Sequence, residues 1–181
     1  MLNVRSLGNK SSSVQELIVS SDFDVFCAVE TWHEASNSPS VILSTPDGYL
    51  CADQPRPLAT GESRPYGGIC IFHRQTLRTT KHELGNFTPK TFEHLSILVT
   101  SGSQRLLVVG LYRPGSQRTS PAFFSEFSEF LSHLSVLSYP VYLLGDLNIH
   151  LDNPNHSDTT TIQHLFDSFA FVQHISVPTH K

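Results

Sequence analysis

Long hydrophobic runs are what this 181-residue sequence most plainly lacks. No stretch approaches the roughly 18 consecutive apolar residues that a bilayer demands, which excludes a membrane-spanning helix. The opening "MLNVRSLGNKSSS" has no apolar block ahead of a small-residue cleavage site, so a secretory leader is not expected. A soluble, intracellular protein of the nucleus or cytoplasm is the expectation, with no membrane partner. Positive charge is scarce too: 12 Lys and Arg stand against 16 Asp and Glu, a formal charge of -4. That balance excludes a generic polycation, so contact with a polyanion must come from local Arg and Lys groups and bound cations. Cysteine occurs three times, an odd number, and Cys27 and Cys70 lie inside the apolar runs "DVFCAVE" and "GGICIFHR". These read as small core residues in a reducing compartment, not as a disulfide framework. No G-x-S-x-G elbow supports a serine hydrolase. The histidines His73, His82, His94, His133, His164 and His174 stand singly, without the paired spacing of a zinc site, and read as surface or packing residues.

What remains is an ordinary globular composition, 39% hydrophobic and 10% aromatic, at a length that suits one domain over residues 1–181. "LNVRSL" alternates like a short strand, and "NKSSSVQELIVSS" follows as a helix capped by Asn or Ser, with Val14, Leu17 and Ile18 at helical spacing. "DFDVFCAVE" is the near-continuous apolar run of a strand buried on both faces, ending at Glu30. Thr31 to Tyr66 is rich in Ser, Pro and Gly and is expected to wrap the surface as loops and short strands. "YGGICIFHR", "LRTTKHEL", "FEHLSILVTSG" and "QRLLVVGLYRP" suggest an antiparallel meander, with "SG" as a hairpin turn. "SPAFFSEFSEFLSHLSVLS" sets Phe123, Phe127, Phe130, Leu131, Leu134 and Leu137 on one helical stripe behind a Ser120 cap and Pro121, with Glu126 and Glu129 outward. Next come a strand "PVYLLGDLNI", a helix "SDTTTIQHLFDSFA" capped near Ser157 or Asp158, and a strand-like "FVQHISV". Hairpins mixed with strand-helix-strand crossovers, without any repeat, predict an α/β class fold: a layered sandwich with mixed, largely antiparallel sheets.

In "VYLLGDLNIHLDNP" the chain changes from core strand to polar row at Gly145. If strand geometry persists, Asp146, Asn148, His150 and Asp152 share one face. The plainer alternative is turn chemistry, with these side chains bonding loop amides. Glu30 and Tyr112 also stand at the C-terminal ends of apolar strands, where open α/β sheets build their sites. Carboxylate and amide oxygens suit Mg²⁺, which takes one or two protein carboxylates and keeps several waters; Glu30 and Asp146 meet that requirement. Arg5, Arg64 and Arg113 lie near these motifs and could reach phosphate through a bidentate guanidinium, against the alternative of plain surface charge. Trp32 reads as a packing anchor, with stacking on substrate as its alternative.

Taken in order, "LNVRSL", "AVETW", "GGICIFHR", "GLYRP" and "LLGDLNIHLD" resemble the endonuclease/exonuclease/phosphatase superfamily. The tail "FAFVQHISVPTHK" resembles the endonuclease domain of LINE-type non-LTR retrotransposons. The resemblance implies roles at matching positions. Asn3 stands beside the metal and Glu30 is the main metal ligand. Tyr112 hydrogen-bonds the scissile phosphate, and Asp146 and Asn148 orient and deprotonate the attacking water. Arg5, Arg113, Thr179 and His180 fall to phosphate or DNA contact. It implies an Mg²⁺-dependent DNA endonuclease, with Mn²⁺ able to substitute, that nicks target DNA for target-primed reverse transcription. A reverse transcriptase domain is expected downstream in the intact element, and the chain itself is expected to be a monomer. A phosphomonoesterase or abasic endonuclease of the same fold, and an inactive decayed retrotransposon fragment, are the alternatives. Family members end on a Ser-Asp-His strand that this sequence does not contain. The expectation is therefore a domain truncated before its final strands, with little or no activity.

Overall fold

The computed structural model describes residues 1–56, 66–85, 87–116 and 118–175. Along the chain run β1 (Leu2–Asn3), α1 (Ser11–Ser20), β2 (Val25–Val29), α2 (Pro39–Ser44), β3 (Tyr49–Gln54), β4 (Ile69–Arg74), β5 (Arg78–Lys81), β6 (Glu93–Ser101), β7 (Gln104–Tyr112), α3 (Pro121–Ser135), β8 (Val141–Asp146) and α4 (Ser157–Ser168). They form two four-stranded sheets, ordered β1-β2-β4-β3 and β5-β6-β7-β8. Each sheet is mixed: β1 runs parallel to β2 and β7 parallel to β8, and the other pairings are antiparallel. The expected layered α/β sandwich is thus present.

Period-2 alternation sorts the core into three sheets of side chains. Phe26 and Ala28 of β2 and Cys70 and Phe72 of β4 face outward under α1 and α2, packing on Val14, Ile18 and Val41. Cys27, Val29, Ile69 and Ile71 face the other way, against Leu95, Ile97, Val99 and Val108 of the second sheet. Leu107, Val109 and Leu111 then pack under α3 and α4, on Phe123, Phe127, Phe130 and Ile162. Both faces of each central strand are buried, which is why their sequences read as continuous apolar runs. The Phe stripe of α3 is core throughout, Phe127 lying 5.6 Å from Phe123 and 6.2 Å from Phe130, ring to ring. Ser120 caps α3 by accepting the Phe123 N–H at 3.3 Å, with Pro121 opening the helix.

Several expectations are corrected. The meander holds only β5, β6 and β7, because β4 pairs with β2 and β3 in the other sheet. "PSVILS" forms the short helix α2, opened by Pro39 and buried through Val41, where a loop or strand was expected. α1 has no side-chain cap at Lys10, and α4 is capped by His156, whose Nδ1 accepts the Asp158 N–H at 3.3 Å. Glu126 does not simply face water: Thr91 Oγ1 and the Thr91 and Lys90 N–H groups all donate to its Oε2. Burial opposes its charge, but those donations outweigh it and hold the carboxyl below the ordinary range. Residues 171–175 form no strand; the remainder of "FVQHISV" lies outside the described residues. Among the described residues no helix is long and apolar enough to cross a membrane. Cys27, Cys51 and Cys70 are free thiols, Cys27 and Cys70 buried.

Candidate active site

Four strands from two sheets end at one place. Asn3 closes β1 beside Val29 of β2, and Tyr112 closes β7 beside Asp146 of β8. Glu30 follows β2 directly. Sequence separations of 82 and 143 residues collapse into direct contact: Tyr112 OH donates to Glu30 Oε1 at 3.0 Å, and Asn3 Nδ2 donates to Asp146 Oδ2 at 3.0 Å. The same Asn3 Nδ2 donates to Glu30 Oε1 at 2.7 Å. One amide therefore ties the two carboxylates together, which would otherwise repel at such range. Tyr112 is 5% exposed, and burial first, then the Glu30 charge, push its phenol well above the ordinary range. It stays a protonated donor at any working pH.

Asp146 is braced from both sides, its Oδ1 accepting the Asn148 N–H at 2.9 Å. Strand geometry does not persist past it. β8 ends at Asp146 and Asn148 turns left-handed, φ 50°. The shared face proposed for Asp146, Asn148, His150 and Asp152 is accordingly absent; His150 and Asp152 form an exposed pair at 3.8 Å, while Leu147, Ile149 and Leu151 pack on the core. Gly145 permits the close approach, since a Cβ there would sit 2.3 Å from Leu111 O. The Asn148 side chain donates from Nδ2 to Arg113 O at 2.7 Å.

Arg113 corrects the expectation of a phosphate contact. It is 5% exposed, and its guanidinium donates to the carbonyls of Leu147 at 2.6 Å, Asn148 at 2.9 Å and Pro114 at 3.3 Å, under the Phe123 ring. Its donors stitch the turn after β8 to the end of β7. Arg5 is exposed, and its backbone N–H donates to Asn3 Oδ1 at 3.2 Å. Thr179, His180 and Arg64 lie outside the described residues. Trp32 meets Tyr66 edge to face at 5.0 Å, and its buried Nε1 has no partner among the described residues.

Left-handed backbone gathers here. Arg5, Ser6, Glu30, Trp32 and Asn148, five of the seven non-glycine residues with positive φ among the described residues, flank the site. Each costs on the order of 1–2 kcal/mol, which the surrounding hydrogen bonds must hold in place. The sequence gives no sign of that strain, nor of two further features. Glu93, at the start of β6, lies opposite Tyr112 in the ladder; burial and the neighbouring Glu30 charge raise its pKa. His33, buried, bonds Thr31 Oγ1 at 2.8 Å and Asp53 Oδ2 at 3.1 Å.

As a cation site the donor set is spare. No group of three or more His, Cys, Asp or Glu suited to a metal occurs among the described residues. Two linked carboxylates with hard oxygens still fit an ion that takes one or two protein carboxylates and keeps its waters.

The model of the Endonuclease/Exonuclease/phosphatase family matches residues 2–179. No curated protein matches the chain. Among solved structures, the AP endonuclease LMAP from Leishmania major is similar at a TM-score of 0.62 and 16% identity, over 92% of this chain and 65% of that one. The endonuclease domain of TRAS1, a telomere-specific non-LTR retrotransposon, is similar at 0.64 and 9% identity, over 97% of this chain and 72% of that one. The 3′ phosphatase NExo from Neisseria is similar at 0.56 and 20% identity, over 91% and 68%. At these identities the likeness is one of fold, and the chain spans about two thirds of the length of these structures.

Proposed function

We propose, given that the chain belongs to the endonuclease/exonuclease/phosphatase family, that it hydrolyses DNA phosphodiesters with a divalent cation, nicking target DNA for reverse transcription as a retrotransposon endonuclease does. The observation that carries the reading is the Asn3 amide, bonded to Glu30 and Asp146 at once with Tyr112 on the same Glu30 oxygen. The "QHISVPTH" resemblance and the likeness to the TRAS1 domain favour the retrotransposon kind.

Glu30 is the residue that would hold Mg²⁺, with Asn3 beside it and Mn²⁺ able to substitute; when bound, the cation would neutralise charge on a phosphate oxygen. Asp146 takes the proton of the attacking water, its carboxylate oriented beforehand by Asn3 and the Asn148 N–H. Tyr112 exchanges its bond to Glu30 for one to a non-bridging oxygen of the scissile phosphate, a donor aimed where charge develops. Asn148 and Arg113 hold the turn that aims Asp146. Arg5, exposed and bonded through its backbone N–H to Asn3, is the residue this reading assigns to the DNA backbone. A reverse transcriptase belongs to the same reading, as a partner in the intact element.

Supercoiled plasmid incubated with the protein and Mg²⁺ tests it. Slow conversion to open circles is expected, stopped by EDTA and abolished by Asp146→Ala. Equal nicking by wild type and Asp146→Ala refutes the role given to Asp146. Duplex with one abasic site and an inositol phosphate, run in parallel, separate the repair and phosphomonoesterase alternatives. Cation binding without turnover on any of the three favours a decayed element.

A further inference from the structure

Glu93 takes no part in the mechanism above, yet its carboxylate is largely buried, with 18% of the side chain exposed. Its Oε2 accepts the Gly68 N–H at 2.7 Å, and its Oε1 lies 3.5 Å from Arg56 Nε. From that anchor the bonds continue toward Glu30. Gly68 O accepts the Thr31 N–H at 3.3 Å and Gly67 O accepts the Trp32 N–H at 2.8 Å. On the opposite side, Glu30 O accepts the Ser6 N–H at 2.7 Å and Thr31 O the Leu7 N–H at 3.0 Å. The turn at Glu30 and Trp32, left-handed at φ 55° and 52°, is therefore clamped between two straps of backbone. The first continues from β1. The second is the pair Gly67–Gly68, and Glu93 is the side chain that pins it.

The strap has no spare room. A Cβ on Gly67 would lie 2.4 Å from Glu93 Oε1, and one on Gly68, itself at φ 86°, would lie 2.7 Å from Thr31 Oγ1. Only glycine fits there, and because the Gly68 N–H is bonded to the Glu93 carboxylate, a displacement of that carboxylate releases Gly68, and with it the two amides that follow Glu30. Glu93 also stands opposite Tyr112 in the β6–β7 ladder, so the strap and the phenol that bonds Glu30 share one support.

We propose that Glu93 is a positioning residue: through the Gly67–Gly68 strap it fixes the left-handed turn that presents the Glu30 carboxylate to a divalent cation. The inference rests on the hydrolase reading for the cation and on the hydrogen-bond chain for the strap, and the two can be tested apart. Amide exchange at Thr31 and Trp32 reports the strap, and Mn²⁺ titration followed by fluorescence reports the cation, because Trp32 is the sole tryptophan.

Glu93→Ala is expected to speed exchange at Thr31 and Trp32 by about tenfold or more, while Val108 and Val109 in β7 keep wild-type rates. Mn²⁺ affinity is expected to fall about 10- to 100-fold, the range for loss of a group that orients a ligand. Glu93→Gln retains an oxygen for the Gly68 N–H and is expected to return both readouts to within about threefold of wild type. Should Glu93→Ala fail to fold, Gly68→Ala disturbs the strap from its other end and must give the same local signature. Unchanged exchange and unchanged Mn²⁺ affinity in the folded variant overturn the proposal, as does a Glu93→Gln protein no better than Glu93→Ala. If wild type takes up no Mn²⁺, the hydrolase reading and the cation half of this inference fall together, while the exchange comparison still decides the strap.

Discussion

Substituting Gly145 by alanine tests whether the site depends on the approach of β8 to β7. A Cβ at this position would lie 2.3 Å from the carbonyl oxygen of Leu111, 2.6 Å from its Cβ and 2.9 Å from its carbonyl carbon. Ordinary contact begins at 3.4 Å, so the strands must part by roughly 1 Å at the pair Leu111–Gly145. Hydrogen bonds do not survive that stretch. Two ladder bonds lost at about 1 kcal/mol each, with about 1–3 kcal/mol of overpacking, give about 3 kcal/mol after the smaller unfolded-state entropy of alanine is allowed for. In a chain of this size that lowers Tm by about 6–12 °C, readable by circular dichroism. Two other glycines calibrate the cause. Gly110→Ala meets Ile69 Cγ2 at 2.8 Å and Cys27 Sγ at 2.9 Å, buried side-chain atoms reached at longer distance than the Leu111 backbone, and should cost about 1–3 kcal/mol of overpacking without breaking the ladder. Gly102→Ala meets nothing within 4 Å and bears only the strain of φ 59°, about 1 kcal/mol. The expected order of loss is Gly145, Gly110, Gly102. A Gly145→Ala protein that melts within about 2 °C of Gly102→Ala refutes the reasoning, since backbone contact would then count no more than open space.

Burial lowers His94 to a pKa of about 4, with Lys81 adding to the effect. The ring is therefore neutral in the fold while the unfolded chain takes up its proton near pH 6.5, so stability falls as pH drops from about 6.5 toward 4, by at most about 3 kcal/mol. Urea midpoints at pH 7 and pH 4.5 measure the loss, and a His94→Gln protein with an undiminished slope would assign it elsewhere. Phe127 is fully buried among Phe92, Phe123, Phe130 and Phe166, so Phe127→Ala should cost about 4 kcal/mol. Val136→Ala, at a position 81% exposed, should cost under about 0.5 kcal/mol in the same melts. Burial raises Cys27 to a pKa of about 12, so iodoacetamide at pH 8 should leave it unmodified until urea unfolds the chain; mass spectrometry of the peptide reads the result.

Local pattern carried most of the architecture. The strands β2, β4, β6 and β7 announce themselves as apolar runs because their central residues are buried on both faces, β8 does so although it lies at a sheet edge and is only half-buried, and α3 does so through its Phe stripe and Ser120-Pro121 start. α2 did not, since six residues are too few for a helical period to stand out beside Pro39. Sheet membership was also invisible: β4 leaves the meander for the sheet of β2 and β3 because its two edges pair there, a choice no local spacing encodes.

The same division runs through the site. Position at the ends of apolar strands singled out Glu30, Tyr112 and Asp146, the polar row after Gly145 offered Asn148, and the resemblance added Asn3 and gave Asn148 its role. Direct contact among Asn3, Glu30, Tyr112 and Asp146 depends on two separate sheets stacking with these strand ends in register. Arg113 turned inward, to carbonyls left unpaired by the left-handed turn at Asn148, and no sequence pattern distinguishes it from an arginine reaching for phosphate. Glu93 and the Gly67–Gly68 strap were silent in the sequence because their role is set by the antiparallel return of β6 against β7, which carries the start of one strand to the end of the other. The sequence by itself determined which segments are strands and helices and which polar groups end them, through side-chain periodicity. Only the tertiary structure decided which ends meet, because contact between sheets is fixed by packing over long separations.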